Sequence, residues 1–232
     1  MLPRVIHDNV HVYGVDYIRI FGSSGFLRPQ RQICRIESSP FYCFTRFSTN
    51  QIKILLSMQQ GFHNNHQWSD IGLSVKWATC NLGADTPEQF GKHYAWGEIK
   101  DKMPQLYTFD HYQYAGDVVR IEWGEGWRLP TLKEQQELLT RCRWIWTCRG
   151  KSCGFTIIGP NNNSIFLPAA GLHCGKGLIT HSQQGSYWSE TLLPANCDYA
   201  YYLHFTPGER KWKISRHFYG RSIRPVCVHP TI

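Results

Sequence analysis

Trp127-Arg128-Leu129-Pro130-Thr131-Leu132-Lys133-Glu134 is the stretch on which the fold turns. Thr131 and Glu134 stand in capping-box spacing, where hydroxyl and carboxylate each satisfy a backbone N–H that the first helical turn leaves open. Leu132, Leu138, Leu139 and Cys142 then mark one apolar stripe, so a helix should run to about Cys142. Trp127 and Arg128 read as bracing its start from within the core rather than as an exposed cation–π pair.

Strand-like runs follow the helix: Trp144-Ile145-Trp146, Phe155-Thr156-Ile157-Ile158 and Ser164-Ile165-Phe166-Leu167. Gly159-Pro160-Asn161-Asn162-Asn163 joins the last two as a hairpin. Near the C-terminus, Tyr201-Tyr202-Leu203-His204-Phe205 alternates with period two, turns at Pro207-Gly208 and returns as Lys211-Trp212-Lys213-Ile214-Ser215. The alternation predicts Trp212 and Ile214 inward, with Lys211, Lys213 and Ser215 outward. Upstream, Trp68 to Leu73 and Val75 to Ala78 read as short strands broken at Gly72, and His93-Tyr94-Ala95-Trp96 as another. Thr86-Pro87-Glu88-Gln89 carries a helix-start signature. Residues 100–120 read as a surface loop with Tyr107, Phe109, Tyr112 and Tyr114. The fold class expected is α+β.

The chain has 232 residues, with 42% hydrophobic, 14% aromatic and 18% charged residues. That balance supports a packed core and argues against disorder. Its net charge of +8 is scattered among acids rather than gathered on one stripe, which argues against nucleic-acid binding. Runs such as Ile54-Leu55-Leu56 are far too short for a membrane span, so none is expected. The first 60 residues differ in texture: His11-Val12-Tyr13 and the run from Asp16 to Phe21 look β-type but are interrupted at residues 22–25 and Pro29. Met1-Leu2-Pro3-Arg4 does not begin a secretory signal, and Met58 offers an alternative start. The division expected is an N-terminal extension over residues 1–60 and one domain over residues 61–232.

Nine cysteines cannot all pair within one chain. No Cys-x-x-Cys occurs, and neither Cys148 and Cys153 nor His173 with Cys174 has compelling metal-ligand spacing. Cys80 and Cys142 are candidates for a disulfide closing a long loop.

Several longer motifs occur in order: Trp77-Ala78-Thr79-Cys80-Asn81-Leu82-Gly83-Ala84, Tyr94-Ala95-Trp96-Gly97-Glu98, Trp127-Arg128-Leu129-Pro130-Thr131, Ile165-Phe166-Leu167-Pro168-Ala169-Ala170-Gly171, Tyr187-Trp188-Ser189, and Arg216 through Gly220 to Ser222-Ile223-Arg224-Pro225-Val226. Over residues 66–228 the chain resembles the Fibrobacter succinogenes major paralogous domain, abundant in surface proteins of Bacteroidetes. The resemblance implies a C-type-lectin-like fold of the formylglycine-generating-enzyme-like subclass, related to variable proteins of diversity-generating retroelements. It implies scaffold roles for Trp188, Ala200, Leu203, Phe205, Gly220, Arg224 and Pro225. Glu190 stands where the family usually has a second serine.

The function expected is a non-catalytic binding module, adhesin-like or receptor-binding, for a protein or glycan ligand at a cell surface. No metal or cofactor is expected. Its candidate contacts are Tyr187, Glu190, Asp198, Tyr199, Tyr202, His204, Lys211, Lys213, His217, Tyr219 and Arg221. Tyrosine suits such a surface because it offers rigid amphipathic area at low entropic cost. A formylglycine-generating-type oxidase is the alternative from another class; it would need a reactive cysteine pair, for which Cys197 and Cys227 are the C-terminal candidates. A calcium-dependent lectin would need converging oxygen ligands, and Leu193-Pro194-Ala195-Asn196 lacks the carboxylates.

Overall fold

The computed structural model describes residues 60–175 and 177–228, together with four strand backbones nearer the N-terminus. The chain divides into two compact units, Met1–Gln59 and Gln60–Ile232. In the first, β1 (Arg4–His7), β2 (Val10–Tyr13), β3 (Tyr17–Ile20) and β4 (Phe44–Thr45) pair antiparallel in that order. Residues 22–25, Pro29 and Met58 lie outside the described residues.

The second unit is α+β, mostly antiparallel, with two helices among its described residues. Strands β5 (Gln60–His63), β6 (His66–Ser69) and β7 (Lys76–Ala78) precede helix α1 (Val118–Trp123). Strand β8 (Trp127–Arg128) leads into helix α2 (Leu132–Arg141), followed by the meander β9 (Arg143–Arg149), β10 (Ser152–Ile158) and β11 (Ser164–Pro168). A small hairpin, β12 (Leu172–Cys174) with β13 (Gly177–Ile179), precedes the sheet β14 (Gly185–Leu193), β15 (Asn196–Thr206) and β16 (Glu209–Arg216). The last strand, β17 (Val226–Cys227), inserts between β7 and β8, so both ends of the unit share the sheet β5-β6-β7-β17-β8.

The capping box at α2 forms: Thr131 Oγ1 accepts from Glu134 N at 3.2 Å, and the Glu134 carboxylate accepts from Thr131 N at 2.7 Å. The Arg128 guanidinium forks onto the same carboxylate at 2.9 and 2.5 Å, while Trp127 is buried, so this pair braces the helix start. The β10–β11 and β15–β16 hairpins take the expected turns, with Ile158 opposite Ser164 and Thr206 opposite Glu209.

Sheet β14–β15–β16 lies between two cores. Trp188, Ala200 and Tyr202 face one, with Trp127 and Ile223; Tyr187, Leu203 and Phe205 face the other, with Trp77 and Trp144. Gly185 admits this packing, since a Cβ there would meet the Phe205 ring at 1.9 Å. Strand β16 is an edge of this sheet, and there Trp212 and Ile214, expected inward, are each 46% exposed.

Other local expectations are corrected. Thr86 to Gln89 makes a turn, with Gln89 N bonding Thr86 O, and no helix follows because no apolar stripe does. Residues 93–96 contribute only an isolated bridge between Tyr94 and Arg221. Tyr107, placed on a surface loop, is buried with its hydroxyl donating to His93 O. Helix α1 emerges where a loop was expected, capped by Asp117, whose carboxylate accepts from Val119 N. Cys148 and Cys153 face each other across β9 and β10 and form a disulfide. Cys80 and Cys142 are not disulfide-bonded.

Candidate functional site

Register places the C-terminal candidates. In β15–β16, Tyr202 lies opposite Lys213 and His204 opposite Lys211; in β14–β15, Trp188 lies opposite Tyr202 and Ser186 opposite His204. Cross-strand partners share a face, so Ser186, Trp188, Tyr202, His204, Lys211 and Lys213 line one side of the sheet. The segment after β16 is pinned onto that side from three directions. Gly220 bridges His173, Arg221 bridges Tyr94, and Ser222 accepts from Trp188 N at 3.1 Å.

Arg221 is the centre of this arrangement. Its guanidinium carbon stands 3.8 Å from the Tyr202 ring centroid, 4.8 Å from that of Trp188 and 5.8 Å from that of Tyr219. Its Nη1 donates to Ser186 Oγ at 2.6 Å. Burial pushes its pKa down to about 10, opposed by the Tyr202 and Tyr219 hydroxyls. Cation–π contacts gain strength when desolvated, so three rings hold a buried cation for which the described residues supply no ion pair. Beside it, Glu209 bonds Lys211 at 2.6 Å and approaches Lys213 and His204 at 3.4 Å. Burial, reinforced by Lys213, lowers the His204 pKa, whereas the hydrogen bond from Lys211 holds the Glu209 carboxyl below its usual value.

A second group gathers at the far end of the hairpin. Tyr199 lies opposite Arg216, whose Nε donates to the Tyr199 hydroxyl at 3.2 Å. His217 stacks on Tyr112 at 4.1 Å, its N–H bonding Asp198 O at 3.2 Å. Burial lowers the His217 pKa against the opposing pull of Asp198 and Glu98.

The structure thus divides the sequence-derived candidates. Glu190, Asp198 and Lys211 are exposed, while Tyr199, Tyr202, Lys213, His217 and Tyr219 are half-buried at the surface. Tyr187, His204 and Arg221 are corrections to the expectation of exposed contacts, being 1%, 6% and 4% exposed. Tyr187 faces the second core and its hydroxyl donates to Pro168 O at 2.6 Å, while Arg221 packs on the Tyr202 ring and His204 lies edge-on to it. Sequence reading missed Glu209, Arg216 and Trp96. Trp96 abuts the first core and donates to Ser189 O at 2.8 Å, and its company of aromatics at Tyr112 and Tyr114 was the available signal.

Cys197 is exposed in β15 and Cys227 buried in β17, in different sheets. Burial pushes the Cys142 thiol up to about 11. Among the described residues, no three His, Cys, Asp or Glu side chains cluster as a metal-holding group, and no helix is long and apolar enough to cross a membrane. No family model matches the chain, and neither a curated protein nor a solved structure matches it.

Proposed function

We propose that residues 60–228 form a non-catalytic ligand-recognition module of C-type-lectin-like architecture. Its contact surface is carried by β15, β16 and the segment of residues 216–221. The observation that carries this reading is a division of labour along one stretch of chain. Trp188, Ala200, Leu203, Phe205, Gly220, Arg224 and Pro225 are buried, while the positions between them place tyrosines, lysines, a histidine and carboxylates at the surface. Two-sided burial of β15 makes that surface rigid, which lowers the entropic cost of binding. The resemblance to Bacteroidetes surface domains and the Cys148–Cys153 disulfide support a ligand, protein or glycan, met at a cell surface.

The test is binding of the whole chain to glycan and surface-protein arrays, with and without EDTA. Specific binding that survives EDTA and weakens in Tyr202→Ala or Lys213→Ala is the expected result. Binding abolished by EDTA, or indifferent to both substitutions, overturns the reading.

A further inference from the structure

Beside this surface lies a second feature that shares Trp188 and Glu190 with the residues already described there. A cleft of about 350 Å³ opens between Trp96, Tyr114, Asp117, Arg120, Trp188 and Glu190, within the range of small-ligand sites. We propose that it is a subsite for a neutral sugar residue, an inference that rests on the ligand-binding reading above and adds a chemical class to it.

Its aromatic wall is preorganised. The Tyr114 ring is 66% exposed yet stacks on Trp96, with centroids 5.8 Å apart and planes 25° from parallel. Gly97 O accepts from Ala115 N at 2.7 Å and from Gly116 N at 2.9 Å, and the Tyr112 hydroxyl donates to Trp96 O at 2.9 Å. Gly97 has φ +74°, and a Cβ there would lie 2.3 Å from Tyr114 Cδ2. The tyrosine is thus laid over a position that only glycine leaves open.

The polar rim has an equally specific origin. Between the pairs Trp188–Tyr202 and Leu192–Ala200, β14 advances four residues against two on β15. Such a bulge re-aims side chains. Here Glu190 N donates to Pro130 O at 2.7 Å instead of to β15, and its carboxylate, half exposed, lies 3.7 Å from Arg128. Also lining the cleft, Arg120, half exposed, stands 3.6 Å from the capping Asp117.

An acceptor and a donor on one rim beside an exposed ring match the chemistry of a pyranose. Its C–H face covers an aromatic ring, and each hydroxyl both donates and accepts. A cationic ligand would meet Arg120, and an anionic one would meet Asp117 and Glu190. The mixed rim therefore favours a neutral ring.

Saturation-transfer NMR on the whole chain tests this with the methyl glycosides of glucose, galactose, mannose, fucose and N-acetylglucosamine, and with glucuronic acid and glucosamine as charged controls. At least one neutral glycoside should receive transfer in preference to both controls. Its affinity should fall about tenfold in Tyr114→Ala, fall also in Glu190→Gln, and persist in Lys213→Ala. Tyr114 is exposed, so its variant should melt with the parent, which separates a lost contact from a lost fold. No transfer to a neutral glycoside, a preference for a charged control, or undiminished binding by Tyr114→Ala overturns the inference. If the arrays then show a ligand sensitive to Tyr202→Ala, only the sugar subsite falls; if they show none, the recognition reading falls with it.

Discussion

Replacing Arg224 by Met should cost this fold about 4 kcal/mol, at roughly 1 kcal/mol for each hydrogen bond lost. Arg224 is 1% exposed and uses three nitrogens: Nε donates to Asn81 Oδ1 at 2.9 Å, Nη1 to Ala78 O at 2.9 Å and Thr79 O at 2.5 Å, and Nη2 to Phe166 O at 2.8 Å. Methionine fills much of the arginine stem but donates nothing, so all four acceptors lose a charged donor. The opposing term is the desolvation of a cation, which burial expresses by lowering the Arg224 pKa; removing that charge returns part of the loss. The four contacts prevail because a buried acceptor without a donor carries its own desolvation penalty. Arg224→Lys should lose about half as much, since an ammonium has three donors but no planar fork. Against a typical domain stability of about 5–15 kcal/mol, the Met variant should stand near its unfolding limit. Urea unfolding followed by tryptophan fluorescence is the assay, because all 9 Trp lie beyond residue 60 and report on the second unit alone. A lower midpoint with unchanged slope is expected. A loss below about 1 kcal/mol, or a lysine variant as stable as the parent, would refute the reasoning.

Acid should destabilise the fold through His93, whose pKa burial depresses to about 3, with the stacked His173 ring 4.3 Å away adding to the shift. Because the folded pKa lies below the unfolded value, this contribution is complete above about pH 6.5 and falls as pH drops toward 3, by at most about 1.4 kcal/mol per pH unit. Thermal melts of His93→Gln should show a flatter dependence across that window, and an unchanged slope would count against the assignment. Thr131→Ala removes half of the capping box and should cost about 1 kcal/mol in chemical unfolding; a cost near zero would mean that Arg128 alone holds the helix start. Reducing Cys148–Cys153 should lower stability by about 2 kcal/mol in the chain-entropy model, because the loop it closes is short. A Cys148→Ser, Cys153→Ser double variant should reproduce that loss, and a melt insensitive to both would contradict it.

What the sequence made legible was local. The capping box at Thr131 and Glu134, the turn at Pro207-Gly208 and the β10–β11 hairpin depend on neighbours in the chain and fall where their residues place them. Side-chain destinations depend on what arrives from elsewhere. Alternation in β15 separates Leu203 from His204, yet both are buried because cores form on both faces. The same alternation in β16 misplaces Trp212 and Ile214, since an edge strand offers its second face less cover. At Thr86, cap-type residues serve a turn, with Gln89 Oε1 accepting from Asp85 N at 2.7 Å, and nothing apolar follows at helical spacing. Asp117 and Gly124 did bracket α1, but six residues give too little periodicity to reveal it.

The motifs that suggested a family meet in space, and how they meet tells which questions they answer. Arg224 ties Ala78, Thr79 and Asn81 to Phe166, Asn81 reaches the Tyr187 hydroxyl at 3.2 Å, and Trp188 Nε1 donates to Tyr94 O at 2.9 Å. Nearly all of these contacts are buried, and several end on backbone carbonyls, which present the same oxygen whatever the side chain. Such residues specify where the chain goes and say little about what it touches. The groups that the proposed recognition would use lie outside or at the edges of the motifs: Lys211 and Lys213 beside Glu209 on the sheet edge, Tyr114 over Gly97, and Glu190 in its bulge. Glu190 is the informative case, because it directly follows Tyr187-Trp188-Ser189 and yet is exposed. The strand that buries Tyr187 and Trp188 on opposite faces breaks register between Trp188 and Leu192, and within that break Glu190 is exposed. If the proposed sugar subsite binds, its specificity should depend on the register break as much as on residue identity. A substitution that restores regular pairing of β14 with β15 should remove the Glu190 carboxylate from the cleft even with glutamate retained.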